Sequence, residues 1–568
     1  MYTIRKQLLL LVLSLASLSI IAQKLPEDVE ESIKKRIEYG YSPSYAVGII
    51  DKNGPRYYNF GTRTMDGGSV NEHTIYEIGS ISKVFTAILL AQQVVDGKMK
   101  LDDPIKKYLP AEVKVPRKSS VEITLGNLSD HTSGLPRMPD NFTPANPNNP
   151  YADYTVKQML EFISGYELTR DVGAGYEYSN LAQGLLGYIL SQYVSTTYED
   201  LMVKSIASPL GMKETKITFD EKMKKNLAMG HSNRKPVENW DIPTFAGAGA
   251  IRSSTADMLK FLAANMNLKK TSLRKAMDLT HQVRHDKAGK MRVGLGWHVS
   301  KGKNGDVLWH NGGTGGYRTF AGFVKETGMG VVVLTNSNKG ADDLGFHLLD
   351  PDTPLQIVKA SVADEMQKMI DSKGVDDAIA LYYDLKKTKA DQFNFSEDVI
   401  NILGYSYIEN NLPAALAIFK LNVSEYPNSS NVYDSYGEAL LKNGQKELAI
   451  ENYKKSVEMN PGNTGGRIAL EKMGVVLNNE VSVPEATLET YVGTFEIQPG
   501  FNITITRDGL HLYEQATGQS KFEIFPKSIT EFYLKVVPAQ INFNLSDGKV
   551  ESLTLIQNGQ NITGKRIK

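Results

Sequence analysis

The residues in this chain best suited to chemistry are Ser80 and Lys83, in the segment Tyr76-Glu77-Ile78-Gly79-Ser80-Ile81-Ser82-Lys83-Val84-Phe85-Thr86. They stand three apart where an apolar run begins, and the stretch from Ser82 to Val95 reads as a buried helix. Residues at that spacing share a helix face, so the Lys83 amine can lie beside the Ser80 hydroxyl. The unpaired N–H groups of the first turn would surround that hydroxyl with positive potential. A serine is a weak nucleophile until a neighbour takes its proton, and an amine is one group able to do so. Spacing alone does not single out this copy, because Ser-x-x-Lys also starts at Ser32, Ser232, Ser272, Ser300 and Ser546.

Two later segments select it. Gly175-Tyr176-Glu177-Tyr178-Ser179-Asn180 precedes an apolar helical run, Leu181 to Leu190. Trp309-His310-Asn311-Gly312-Gly313-Thr314-Gly315-Gly316-Tyr317 precedes the strand-like run Phe320 to Val324. Ser-x-x-Lys, then Tyr-x-Asn, then a basic residue-x-Gly, in that order, resembles the serine β-lactamase and penicillin-binding-protein superfamily. The Tyr-Ser-Asn form resembles its class C-like branch, which includes D,D-carboxypeptidases, D-aminopeptidases and esterases. Three other stretches look like the same family: Ile123-Thr124-Leu125 leading to Asp130-His131-Thr132-Ser133-Gly134-Leu135-Pro136, Ala248-Gly249 to Asp257-Met258, and Gly294-Leu295-Gly296-Trp297.

The resemblance implies roles for individual residues. Ser80 would attack a carbonyl and form an acyl-enzyme, with Lys83 and Tyr178 sharing the proton traffic. An ammonium beside a phenol is expected to depress the Tyr178 pKa, and desolvation to depress that of Lys83. Which of the two is the base stays open for such a coupled pair. Asn180 would either bind the substrate amide or orient Lys83. The Ser80 N–H and, by family analogy, the Gly313 N–H would form an oxyanion hole, with Gly312 and Gly313 letting the strand approach substrate closely. Asn311, Thr314 and Arg318 are further candidates for substrate binding. His310, counted with the catalytic set, stands where dedicated β-lactamases of this branch usually carry lysine. An imidazole is mostly neutral at pH 7, able to donate a hydrogen bond but supplying little charge. That points toward peptidase or esterase chemistry and away from an efficient β-lactamase. Arg318 either replaces the missing charge or is an exposed structural arginine.

The elements that must position these groups belong to a chain of 568 residues, long enough for several domains. Residues 23–355 alternate strand-like runs, such as Tyr45 to Ile50 and Gly330 to Thr335, with helical stretches. The expected class is α/β or α+β, with a sheet assembled from distant parts of the chain. Residues 356–395 read as a linker or a degenerate helical repeat. Over 396–480, Ala415, Phe419 and Pro427 recur 34 residues later as Ala449, Tyr453 and Pro461. This resembles the α-helical tetratricopeptide repeat, which here would either recruit a protein partner or space two domains. Residues 484–568 alternate strand-like runs with turns such as Asp508-Gly509, the pattern of a small antiparallel β domain. Its opening, Leu488 to Phe495, resembles the β-rich module often appended to penicillin-recognising hydrolases.

Charge and composition narrow the function classes. Lys+Arg and Asp+Glu balance at 64 each, so no global field favours nucleic acid. Arg5 and Lys6 precede the apolar stretch Leu8 to Ile21, and Ala22 stands before Gln23, so residues 1–22 read as a cleaved signal peptide. The expected location is periplasmic or secreted, without a stable membrane anchor after cleavage. The chain has no cysteine, which excludes disulfides, thiolate metal sites and lipid attachment at an N-terminal cysteine. No metal and no cofactor is expected: His281 and His285 lack a His-Glu-x-x-His pattern and read as a satisfied surface pair. Gly559 to Lys565 resembles a P-loop, but Arg566 stands where Ser or Thr is required. The combined reading is an exported serine hydrolase acting on a small peptide or ester through a Ser80 acyl-enzyme, nearest to D,D-peptidases and D-aminopeptidases. The alternatives are an esterase on the same fold, a weak β-lactamase, and a non-catalytic penicillin-binding or interaction protein.

Overall fold

The computed structural model describes residues 24–567 except 65–66, 286–291, 476–482, 499, 538, 547–548 and 558–559. The expected signal peptide therefore lies outside the described residues. The chain divides into two compact units, Met1–Val358 and Lys359–Lys568.

The first unit is built on one eight-stranded sheet. Its strands are β1 (Ser44–Asp51), β2 (Gly54–Thr64), β3 (Gly67–Ser69), β4 (Arg292–Val293), β5 (His298–Gly302), β6 (Gly305–Gly313), β7 (Arg318–Val324) and β8 (Met329–Thr335). Their order is β4-β5-β6-β7-β8-β1-β2-β3, so strands from the two ends of the unit meet where Val47 pairs with Val333. The sheet is antiparallel throughout, yet both faces are covered. Tyr45, Val47, Ile49, Val331 and Val333 pack on one face with α1 (Glu27–Glu38) and a later helix, Asp342–Leu349. Ala46, Ile50, Val332 and Leu334 face the larger core on the other side. A strand buried on both faces must be apolar at successive positions, which is why Gly330 to Thr335 is one continuous run.

The larger core holds α2 (Ser82–Val95), α3 (Asn180–Val194) and α4 (Thr255–Asn265), followed in the chain by α5 (Asp342–Leu349) on the opposite face. Helix α2 is buried on nearly every side, including Lys83. A helix apolar all round belongs in the middle of a core, and a lysine within it needs a reason. The chain enters α2 through a 3₁₀ turn, Gly79–Ile81. Ser82 Oγ donates to Gly79 O at 2.7 Å and accepts from Ile251 N at 3.1 Å, fixing that turn. Gly79 has φ +52°, and a Cβ there would stand 2.6 Å from Gly313 N, so only glycine lets the two backbones approach this closely.

Just before this turn, Tyr76 and Ser253 pair across a short two-stranded ladder that also matches Glu77 with Arg252. The Glu77 and Arg252 side chains form a buried ion pair at 3.2 Å. Glu77 Oε1 also accepts from Trp240 N and Asn239 Nδ2, each at 3.0 Å, and Arg252 Nη2 donates to Trp240 O at 2.8 Å. Burial pushes the Glu77 carboxyl up despite Arg252, so the pair holds charge against a desolvation cost.

The second unit contains, among its described residues, seven helices before residue 475, beginning with Val362–Lys373 and Val375–Thr388. Two successive hairpins, Glu397–Tyr407 with Leu412–Glu425 and Ser430–Lys442 with Lys446–Met459, repeat one contact. Gly404 lies against the Phe419 ring and Gly437 against the Tyr453 ring, where an added Cβ would stand 2.6 and 3.1 Å from the respective rings. After Glu485–Tyr491, eight antiparallel strands from Gly493 to Arg566 close into a barrel. Closure pairs the first of these strands with the last, Phe495 with Arg566, so neither is left as an edge. Phe495, Ile503, Ile505, Leu512, Ile541 and Leu553 are among the buried residues of its core, and Tyr491 stacks on Phe543 at 4.2 Å.

Replacing Arg252 by alanine leaves the Glu77 carboxyl buried without its cation, a change that costs about 3 kcal/mol or more. Arg252→Ala is expected to lower the thermal unfolding midpoint of the first unit by roughly 5 °C or more, with Arg252→Lys intermediate.

Candidate active site

Ser80 is half-exposed and Lys83 is fully buried, one turn further along. Lys83 Nζ lies 2.9 Å from Ser80 Oγ, 2.9 Å from Asn180 Oδ1 and 2.7 Å from Ala248 O. Those three neighbours come from the start of α2, the start of α3 and the short helix Ala246–Gly249. The small residues of that last helix let it come close: a Cβ on Gly247 would be 3.0 Å from Gly187 Cα. Burial, reinforced by the Arg137 cation, holds the Lys83 ammonium well below the usual lysine range. A neutral amine has two N–H bonds and one lone pair. In that form, with its hydrogens given to Asn180 Oδ1 and Ala248 O, the lone pair would be left for the Ser80 hydroxyl.

Asn180 occupies the first turn of α3, whose N-cap is Ser179. Ser179 Oγ accepts from Ala182 N at 2.9 Å and donates to Pro136 O at 2.6 Å, while Ser179 N donates to His131 Nδ1 at 3.1 Å. Asn180 N donates to Arg137 O at 3.0 Å. The Tyr178-Ser179-Asn180 segment is thus tied to the 131–138 turn. His131 itself adopts φ +61°, and its ring stacks on Tyr178 at 4.6 Å. Through these contacts His131 joins the turn to the Tyr178 segment.

Tyr178 is half-buried, with Lys83 Nζ 4.7 Å from its ring centroid and the Ser80 side chain near its hydroxyl. The expected lowering of its pKa is corrected here: burial pushes the phenol well above its ordinary value, outweighing the Ser80 side chain and the Arg137 cation. The reason is that the neighbouring amine, buried too, is itself driven toward its neutral form and supplies little field.

His310 is fully buried and stacks on His298 with centroids 4.7 Å apart. Its Nδ1 donates to Asn311 O at 2.6 Å, so in the neutral ring the remaining nitrogen is an acceptor, and Nε2 has no partner among the described residues. Burial, with His298 and Lys83 nearby, holds its pKa well below the usual histidine value. The expectation of a hydrogen-bond donor toward substrate is therefore reversed. His298 is likewise pulled down to about 4, chiefly by burial, and its Nε2 pairs with the Tyr176 hydroxyl at 3.1 Å.

The other sequence candidates separate. Gly313 stands beside the Ser80 turn, and a Cβ on Gly312 would lie 2.0 Å from Ile78 O. Asn311 does not join them: its Nδ2 donates to Asp342 of α5 at 2.5 Å, because alternate residues of β6 face opposite layers. Thr314 is buried beside Glu77. Arg318 Nη1 donates to Thr314 O and Tyr317 O at 2.9 Å each, so it braces the turn after β6 and is half-buried, not exposed. His281, expected at the surface with His285, is buried with Nε2 3.0 Å from Asn265 Oδ1, whereas His285 pairs with buried Asp130.

A small cleft opens at Ser80, lined also by Tyr151, Asn180, Trp240, Ile242, Phe245, Gly249 and Gly313. Sequence reasoning missed its aromatic wall, which no local motif marks. Asn149 and Asp241 pin the two sides of that wall, with Asp241 N donating to Asn149 Oδ1 at 2.8 Å and Asn149 Nδ2 donating to Asp241 Oδ2 at 3.0 Å.

The profile described as Beta-lactamase matches residues 29–348, more than half of the chain. The chain belongs to the β-lactamase family. A second profile, described as a domain of unknown function (DUF3471), matches residues 477–566. A β-lactamase of Pseudomonas fluorescens is 27% identical over 352 residues, covering 56% of this chain and 95% of that protein. The D-alanyl-D-alanine-carboxypeptidase/endopeptidase AmpH of Escherichia coli (strain K12) is 29% identical over 353 residues, covering 57% of this chain and 90% of the relative. A solved class C β-lactamase superposes with TM-score 0.51 at 23% identity, covering 58% of this chain and 96% of that one, a likeness of fold. The β-lactamase-family domain is followed in the chain by a helical region and an all-β barrel.

The buried amine of this family domain has a thermodynamic signature. Lys83 binds a proton more readily unfolded than folded, so the unfolded chain holds more protons between its depressed folded pKa and the ordinary 10.5. In that window a rise in pH stabilises the folded protein, and below it the contribution is constant. Denaturant titrations from roughly pH 7 to 9.5, below the range where tyrosines ionise, should show stability rising with pH more steeply in the wild type than in Lys83→Met.

Proposed function

We propose that this protein is an exported serine acyl hydrolase working through a Ser80 ester, with short peptides ending in D-amino acids as its substrates. The observation that carries the reading is the 2.9 Å approach of Lys83 Nζ to Ser80 Oγ, with the amine's other contacts made to Asn180 Oδ1 and Ala248 O. Ser80 Oγ attacks the substrate carbonyl carbon as its proton passes into the Lys83–Tyr178 pair. The oxygen that becomes negative is received by the backbone N–H groups of Ser80 and Gly313. Collapse breaks the bond to the leaving amine, which takes the proton held by the pair. Water then repeats the sequence against the Ser80 ester and restores the serine. Asn180 acts by orienting Lys83.

The peptide reading draws on AmpH, a relative named for D-alanyl-D-alanine, and on the neutral, buried His310, which supplies no permanent charge beside the nucleophile. A second reading, an esterase, is supported by the wall of Tyr151, Trp240, Ile242 and Phe245, which suits an apolar acyl group. Export rests on residues 1–22, and the helix pairs of the second unit are read as tetratricopeptide-like repeats on their sequence periodicity.

An active-serine fluorophosphonate should add one adduct to the folded protein, located at Ser80 by peptide mass spectrometry and absent in Ser80→Ala. Absence of labelling in the wild type would favour a non-catalytic binding protein. Lys83→Ala and Tyr178→Phe should each lower kcat/KM by about a thousandfold, within the range for loss of a proton-transfer group. Release of D-alanine from D-Ala-D-Ala peptides, compared with hydrolysis of short-chain nitrophenyl esters, separates peptidase from esterase. Sequencing of the mature protein should begin at Gln23.

A further inference from the structure

The cations around this cleft differ in what occupies them. Lys83 is buried and fully engaged by Ser80, Asn180 and Ala248. Arg318 is turned onto the carbonyls of Thr314 and Tyr317. Arg170 is paired with Glu177 at 2.8 Å. His310 and His298 are buried and neutral. Arg137 stands apart. Its backbone oxygen is fixed by Asn180 N at 3.0 Å, and its guanidinium carbon lies 5.0 Å from the Tyr178 ring centroid. The residue is exposed, and among the described residues no hydrogen bond or ion pair engages its guanidinium.

We infer that Arg137 is the specificity-determining cation of the site, binding a carboxylate carried by the leaving group of the substrate. The inference rests on the Ser80 reading above. A leaving group that takes its proton at the Tyr178–Lys83 end of the cleft places its substituents over Tyr178, where Arg137 already stands. The rest of the lining, Trp240, Ile242 and Phe245, has no charge to offer an anion and suits the acyl portion. A guanidinium presents paired N–H donors that match the two oxygens of a carboxylate, so an open arginine at this place selects a planar anion. This gives the site the charge that His310 lacks, from a different element: the turn before α3 instead of strand β6.

The test uses two aryl acetates of identical acyl group, the acetate esters of 3-hydroxybenzoate and 3-hydroxybenzamide, with Ser80→Ala as background. The quantity read is the ratio of kcat/KM for the anionic ester to that for the neutral one, so intrinsic leaving-group differences cancel between variants. The wild-type ratio should exceed that of Arg137→Ala by about three- to tenfold, the scale of a solvent-accessible charge pair with good geometry. Arg137→Lys should keep part of the preference, the change should fall mainly on KM, and added salt should erode it in the wild type but not in Arg137→Ala. Turnover of the neutral ester reports folding of each variant. If both esters are hydrolysed through Ser80 and the ratio is the same in Arg137→Ala, the assignment to Arg137 is wrong while the serine hydrolase reading stands. If the wild type hydrolyses neither ester but releases D-alanine from D-Ala-D-Ala peptides through Ser80, the same ratio is read on the peptide and its C-terminal amide, and an unchanged ratio in Arg137→Ala overturns the assignment. If none of these is turned over above the Ser80→Ala background, both readings fail.

Discussion

The arrangement at the centre of this protein depends on one buried amine. Lys83 sits inside a helix otherwise surrounded by core, and an ammonium there would be costly to desolvate. Three oxygens meet it from segments far apart in the chain, Ser80, Asn180 and Ala248. If any of those segments moved, a buried polar group would lose its partner, so the amine holds the starts of α2 and α3 and the Ala246–Gly249 helix together. The same burial that makes the amine expensive makes it a base.

The surrounding architecture can be understood as what lets those segments converge. The covered sheet supplies β6, whose Gly313 meets Gly79 at a separation that no side chain would allow. Glu77 and Arg252 hold the strand leading into Ser80 and, through Trp240, the wall of the cleft. Three buried histidines lie around Tyr178, and burial leaves each of them neutral. Electrostatically the interior of the site is thus poor in charge, and the open cation at its mouth, Arg137, becomes correspondingly influential.

Much of this was legible in the residues themselves, for reasons that differ from place to place. The adjacency of Ser80 and Lys83 follows from local helix geometry, and the continuous run from Gly330 to Thr335 announces a strand covered on both faces. Tyr178 and Asn180 could be ordered with them through the family resemblance. The third partner of Lys83 is a backbone oxygen 165 residues away, and no side-chain pattern encodes such a contact. The pKa of Tyr178 turns on a balance between burial and charge, whose sign needs the surroundings of both groups. For Asn311 the signal was present: in a strand it must face away from His310, and it does. Arg137 carries no motif, only a position.

The central claim is that Lys83 is a neutral amine beside Ser80 at working pH. It is tested most directly by following the Lys83 side chain in a pH titration by NMR, with the protein labelled at lysine and Lys83→Arg used for assignment. The account predicts a titration well below the ordinary lysine value of about 10.4. A Lys83 signal that titrates with the surface lysines would contradict it.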